Sequence, residues 1–217
     1  MGIHRTPEEL KSIIRSGTMH LVAMGGMSNF SFPKLSAETG ISPPTVYKHY
    51  ENKEVLLTTC FMMIDREISD MVSRFVKKIP YDVEDIVSLE NHCRLLWLSY
   101  WKYLLSDSDR TIFYWSYCNS SSYNSEISKL RKENFSEFLR FIQGMNERFP
   151  MSDNCDLNML SVNLIDGTVS AAVKVLRGVY KNDEVTMNTV YHMMFRPIFF
   201  VSLSDMTDAD ERKAISQ

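Results

Sequence analysis

Between positions 42 and 53 the chain reads SPPTVYKHYENK, which places the hydroxyls of Thr45 and Tyr47, the ammonium of Lys48 and the imidazole of His49 close together, with Lys53 just beyond. Hydroxyl and ammonium groups bind oxygen-rich polyanions by hydrogen bonding, and they do so without making or breaking a covalent bond. The expected chemistry is therefore recognition. Tyr47 and Lys53 suit phosphate oxygens, whereas Thr45, Lys48 and the Pro43/Pro44 edge suit base edges, a proline ring being able to meet a thymine methyl. His49 suits either.

Catalysis finds no comparable constellation. The chain contains no HExxH, no GxSxG and no phosphate-cradling glycine loop, and its five histidines are scattered. His92 and Cys93 are neighbours that point to different sides of a helix. No catalytic residue, no cofactor and no metal site is expected, and the chain is read as a non-enzyme. Cysteines at 60, 93, 118 and 155 form no CxxC pair and are too sparse for a secreted disulfide framework. They read as reduced thiols of a cytoplasmic protein. The most apolar late stretch, FFVSL after Arg196-Pro197, is too short to span a bilayer, so no membrane partner is expected.

The polar cluster at 42–53 needs a scaffold, and residues 31–57 supply one. Ser31 is placed to cap a helix running to about Thr39, with Lys34 in its first turn. Gly40 offers a positive-φ turn, and Ser42 caps a second helix that opens with Pro43 and Pro44. That second helix is about seven residues long and cannot stand alone in water. Leu35, Ile41, Val46 and Tyr50 must pack it against an earlier helix bearing Ile13, Ile14, Met19, Leu21 and Val22. This is the layout of a helix-turn-helix, whose second helix enters the major groove of double-stranded DNA. Ser31, Lys34, Ser42, Pro43, Pro44, Thr45, Tyr47, Lys48, His49 and Lys53 are the candidate DNA-binding residues, the backbone amides at the starts of helices two and four being able to hold phosphates as well.

LSAETGIS followed by TVYKHYENKEVL resembles the signature of the TetR family of transcriptional regulators, over about residues 8–57. The resemblance includes the aromatic pair Tyr47 and Tyr50 and the lysine opening helix four, Lys53. The double proline at 43 and 44 departs from it, since relatives usually carry polar or small residues there. What the resemblance implies is a homodimeric, ligand-responsive regulator, most often a repressor, bound to a palindromic operator. A small effector between the carboxy-terminal helices would shift the two recognition helices out of register.

The rest of the chain agrees with an all-α fold. With 217 residues, 44% of them hydrophobic and 24% charged, it can bury a sizeable core, and disorder or a fibrous repeat is excluded. Apolar residues recur at three and four throughout, and strand-like alternation is nearly absent. One stripe runs from Leu56 to Phe75, a second from Ile86 to Leu104, and a third from Ile127 through Leu130 to Phe149. Pro80, Pro150 and NSSSYNS at 119–125 punctuate them. About nine helices are expected: a three-helix helix-turn-helix domain over 1–52, then an effector-binding and dimerisation domain over 53–217.

Aromatic density from 97 to 123 suggests a partly apolar pocket for a small-molecule effector, apolar, aromatic or cationic, with polar handles. Its candidate lining is His92, Trp97, Tyr100, Trp101, Trp115, Cys118, Asn119 and Asp166. Two final helices, about 154–180 and 185–204, are apolar around much of their circumference and so need cover on more than one side. A homodimer seam at Leu164, Gly167, Ala171, Leu176, Met194 and Phe199 would provide it, a central place in the monomer core being the alternative. Pro197 should kink the last helix. A second functional reading, a helical hydrophobic-ligand carrier or interaction protein with a degenerate helix-turn-helix, draws on the double proline.

The formal net charge of −3 argues mildly against a polyanionic partner. It conceals a split: residues 1–50 carry five Lys and Arg against three Asp and Glu, a net +2, which leaves −5 for the remainder. The expected polarity favours docking by one end, through few phosphate contacts.

Overall fold

The computed structural model describes residues 6–80, 85–149 and 156–195. Among these the regular structure is helical: α1 (Pro7–Gly25), α2 (Phe32–Thr39), α3 (Pro43–His49), α4 (Lys53–Val76), α5 (Ile86–Leu105), α6 (Ser108–Cys118), α7 (Ser125–Asn134), α8 (Ser136–Arg148), α9 (Leu157–Leu176) and α10 (Glu184–Met194), with a 3-10 turn at Met27–Asn29. The all-α expectation holds.

Helix starts follow from side chains that satisfy orphan amides. At α1, Thr6 accepts from the Glu9 amide while Glu9 accepts from the Thr6 amide, a reciprocal capping box, with Pro7 in the first turn. Asp107, Asp156 and Asp183 cap α6, α9 and α10 by accepting from first-turn amides, without the reciprocal bond. Gly40 ends α2 in the left-handed region at φ 68°, as the turn requires.

The chain divides into two compact units. One comprises residues up to Glu67 with Ser106–Glu133, and the other comprises Ile68–Leu105 with the residues from Asn134 onward. In the first unit α1 packs against α2 and α6, and α2 against α3. Its core contains Ile14, Val22, Leu35, Ile41, Val46, Leu56, Leu57 and Phe61. Phe61 stacks between Tyr114 and Tyr117 of α6, with centroids 5.0 and 4.3 Å away. A buried ionic cluster joins α4, α6 and α7: Asp65 Oδ1 accepts from Tyr114 OH at 2.7 Å and from Arg131 Nε at 3.2 Å.

In the second unit α9 packs against α5, α8 and α10. Trp97 and Trp101 of α5 stack at 5.3 Å, and Tyr191 of α10 lies 5.4 Å from Trp97. The Trp97 indole donates to Thr168 Oγ1 and the Tyr100 hydroxyl to the Ile165 carbonyl, so the polar tips of these buried rings are met by α9. α9 has the length and apolar composition of a membrane span, and it packs against α5, α8 and α10.

The structure corrects two readings of element bounds. The stripe from Ile127 to Phe149 is two helices, separated at Phe135, and Leu130 on it is 39% exposed while the neighbouring Arg131 is buried against Asp65. An ionic partner brought in from α4 thus outranks the apolar side chain for the inward position. The helix expected over 154–180 ends earlier, at Leu176. Gly178 at φ 71° stops it, with the Val179 amide on the Lys174 carbonyl and the Gly178 amide on that of Val175, the bond pattern of a Schellman motif. The segment 195–204, with Pro197 and its expected kink, lies almost wholly outside the described residues, as do Phe199, Pro150 and Cys155.

Candidate nucleic-acid interface

α3 has only seven residues, and its two faces differ sharply. Val46 and the following Tyr50 are buried, whereas Pro44, Tyr47 and Lys48 are exposed and Thr45 and His49 half-buried. The buried side anchors the helix to α2, so the exposed side is presented rigidly. Tyr47 is 57% exposed, yet its ring meets Phe32 of α2 edge-on at 4.8 Å. That contact fixes the ring and leaves the hydroxyl at the periphery. Of the aromatic pair singled out in the sequence, Tyr47 faces outward and Tyr50 inward.

The double proline has a definite consequence. Pro43 and Pro44 occupy the first turn, where their missing N–H groups break no helical bond, but the next two amides, of Thr45 and Val46, are both engaged by the Ser42 carbonyl at 2.9 and 3.1 Å. The start of α3 therefore presents no free amide for an anion. The Ser42 and Thr45 hydroxyls share a hydrogen bond of 2.9 Å, which tethers Thr45 at the outer edge.

The remaining candidate polar groups stand at the starts of the flanking helices, each with a partner inside the protein. At α2, Ser31 caps the Lys34 amide, and the Lys34 ammonium donates to the Asn29 side chain. Asn52 accepts from the Val55 amide at the start of α4. Lys53 is half-buried: its ammonium donates to the Met27 carbonyl at 3.0 Å and lies 5.8 Å from the Phe30 ring centroid, tying the start of α4 to the turn after α1. An ammonium carries three donors, so a phosphate contact from Lys53 is compatible with this tie.

Sequence reasoning missed two long-range contacts of the first unit. His20 of α1 bonds Asp109 of α6 at 2.8 Å, with Glu38 of α2 at 3.9 Å. The hydrogen bond to Asp109, reinforced by its charge and by Glu38, raises the His20 pKa above the ordinary imidazole value. Neither this bridge nor the Asp65–Arg131 pair leaves a local motif, since the partners stand 89 and 66 residues apart.

The eight candidate effector residues divide between the two units. Trp97, Tyr100 and Trp101 are buried in the second unit, where His92 is half-buried with Nδ1 on the Ser88 carbonyl and Asp166 is half-buried on α9. Trp115, Cys118 and Asn119 belong to the first unit, at the end of α6. A groove of about 760 Å3 in the second unit is lined by none of them; it runs along the end of α4, Leu89 of α5 and one face of α8.

The candidate seam residues also separate by burial. Leu164 and Ala171 are buried within the unit, Leu176 is half-buried, and a Cβ on Gly167 would come within 2.7 Å of the Met194 sulfur. Exposed apolar side chains on these helices are Met159, Val162, Val185 and Met193.

Residues 14–60 match the family described as bacterial regulatory proteins, tetR family. No curated protein sequence matches the chain. Among solved structures, a TetR family transcription regulator from Marinobacter aquaeolei VT8 is 18% identical, with 87% of this chain and 94% of that one covered at a TM-score of 0.71. A putative tetR family regulator from Shewanella sp. PV-4 is 14% identical over 88% and 97%, at 0.70. The regulator FadR from Bacillus subtilis, in complex with stearoyl-CoA, is 17% identical over 86% and 98%, at 0.63. The chain carries the helix-turn-helix domain of the tetR family over residues 14–60 and has the fold of TetR-family transcription regulators.

Proposed function

We propose that this protein is a homodimeric transcriptional repressor that binds a palindromic operator and is released by a small apolar or aromatic effector. The observation that carries the reading is the rigidly mounted outer face of α3, where Pro44, Tyr47 and Lys48 are exposed while Val46 and Tyr50 lock the helix from behind. In this reading Tyr47 and Lys53 hold phosphates, Ser31, Lys34 and Ser42 support the flanks, and Pro43, Pro44, Thr45, Lys48 and His49 meet base edges. Homodimerisation is supported by the apolar side chains that α9 and α10 leave exposed, Met193 at 65% among them. Effector binding is supported by the groove in the second unit and by a structural relative that is in complex with stearoyl-CoA.

The test is selection of bound duplexes from a random pool by the purified full-length chain. Enrichment of a two-fold symmetric site is expected, with affinity falling steeply as salt rises. Recovery of no common site by folded protein would sink the proposal and favour the helical carrier, for which the amide-free start of α3 is the supporting observation.

A further inference from the structure

We infer that the groove formed by the end of α4, the start of α5 and α8 is the effector's seat, and that it takes an amphipathic anion: an acidic head on an apolar tail. The inference rests on the ligand-responsive reading above and names the site and ligand class within it. At about 760 Å3 the groove falls within the range of roughly 300–1,000 Å3 typical of small-molecule sites. Its apolar lining comes from Val76, Leu89, Phe141, Met145 and Phe149.

Charge at the groove is unequal. Lys77, just past α4, and Arg140 and Arg148 of α8 line it together with two acids of α8, Glu137 and Glu147. Lys77 lies 3.0 Å from Glu137, which makes that pair internally neutral. Arg140 is exposed, and its Nε donates a long bond of 3.4 Å to the Ser136 carbonyl. A guanidinium beside apolar lining suits a carboxylate or phosphate head whose tail lies along the groove, and such charge-assisted, forked bonds are what Arg makes best.

Gly144 is a second, independent observation. It sits inside α8 without a positive φ, so no turn requires glycine there, and it weakens the helix relative to alanine. A Cβ at this position would meet nothing within 4 Å, so close packing does not require glycine either. Its effect is to leave the α8 wall of the groove bare for something else to occupy.

Calorimetry on the full chain tests this with decanoate and with decan-1-ol, which share a tail and differ in charge. One decanoate per chain should bind, about 10-fold more tightly than the alcohol, as expected for one charge-assisted contact. Arg140→Gln should erase most of that preference. Gly144→Trp, which fills the groove, should lose decanoate binding, and Gly144→Ala should keep it. Equal affinity for acid and alcohol overturns the ligand class, and an unchanged preference in Arg140→Gln overturns the assigned head site. Undiminished binding by Gly144→Trp overturns the seat. Circular dichroism shows whether that variant folds; if it does not, the wild-type pair of ligands and Arg140→Gln decide. Operator binding by the wild type is scored without decanoate, so a protein that binds DNA and no decanoate defeats this inference alone.

Discussion

His20 Nδ1 donates to Asp109 Oδ2 at 2.8 Å, an interhelical bond that fastens α1 to the start of α6, with Glu38 of α2 at 3.9 Å from the other ring nitrogen. Both acids favour the imidazolium, so the folded-state pKa of His20 lies above its ordinary value. A raised pKa means that the added stability is fully present below about 6.5 and is lost as pH rises through the folded value. His20 and Asp109 are each more than a third exposed, so solvent screening holds the contribution to about 0.2–1 kcal/mol. Urea denaturation of wild type and Asp109→Asn between pH 5 and 9 should show the variant less stable at acid pH, with the gap narrowing above neutrality. A gap that widens with pH would reverse the assignment.

The two exposed polar side chains of α3 should fail differently when altered. Tyr47 is held by Phe32 and offers a hydroxyl, so in the proposed reading Tyr47→Phe removes a phosphate contact and leaves the ring packing intact. Operator affinity should drop by about 1 kcal/mol, alike for matched and mismatched sites. Lys48→Ala should instead narrow the difference between matched and mismatched sites by about 1–3 kcal/mol if its ammonium reads a base. Fluorescence anisotropy with both sites separates the two roles, and a uniform loss for Lys48→Ala would reassign it to a phosphate.

The helix-turn-helix was legible because everything that builds it is local. Ser31 caps four residues ahead of Leu35, Gly40 turns at φ 68°, and Val46 and Tyr50 repeat at helical spacing. Longer-range outcomes were not. No Gly or Pro marks Phe135, where the α7 and α8 stretch breaks, and Arg131 outranks Leu130 only because Asp65 waits 66 residues earlier. Aromatic density could not say whether rings line a cavity or fill a core, since that depends on partners such as Thr168, to which Trp97 donates. The face of α8 that lines the groove alternates charge and bulk around Gly144, and periodicity reads such a face as solvated surface.

Thiol chemistry should follow burial. The Cys60 and Cys93 thiols are pushed up to about 12 by burial, which denies them the thiolate form near neutrality. Cys118 is half-buried at the end of α6. Iodoacetamide at pH 7.5 followed by peptide mass analysis should label Cys118 well before Cys60 or Cys93. Labelling of Cys60 at the same rate as Cys118 in native protein would contradict the packing of α4.

The Asp65–Arg131 pair should be costly to halve and cheap to remove whole. Both side chains are buried, Asp65 completely, and the carboxylate also accepts from Tyr114. Arg131→Met leaves a buried carboxylate without its cation and should lose about 3–5 kcal/mol, as stranded buried charges do. Asp65→Leu should lose a similar amount by stranding the guanidinium. In the double variant both charges are gone, and most of that loss should return, because the desolvation of two ions no longer opposes folding. Tyr114→Phe, which deletes one hydrogen bond to the carboxylate, should cost about 1–3 kcal/mol. Denaturation of the four proteins forms a double-mutant cycle whose coupling should exceed 2 kcal/mol or so. Strict additivity of the two single losses would mean that the pair contributes through packing rather than charge, since only an ionic partnership makes the second substitution relieve the first.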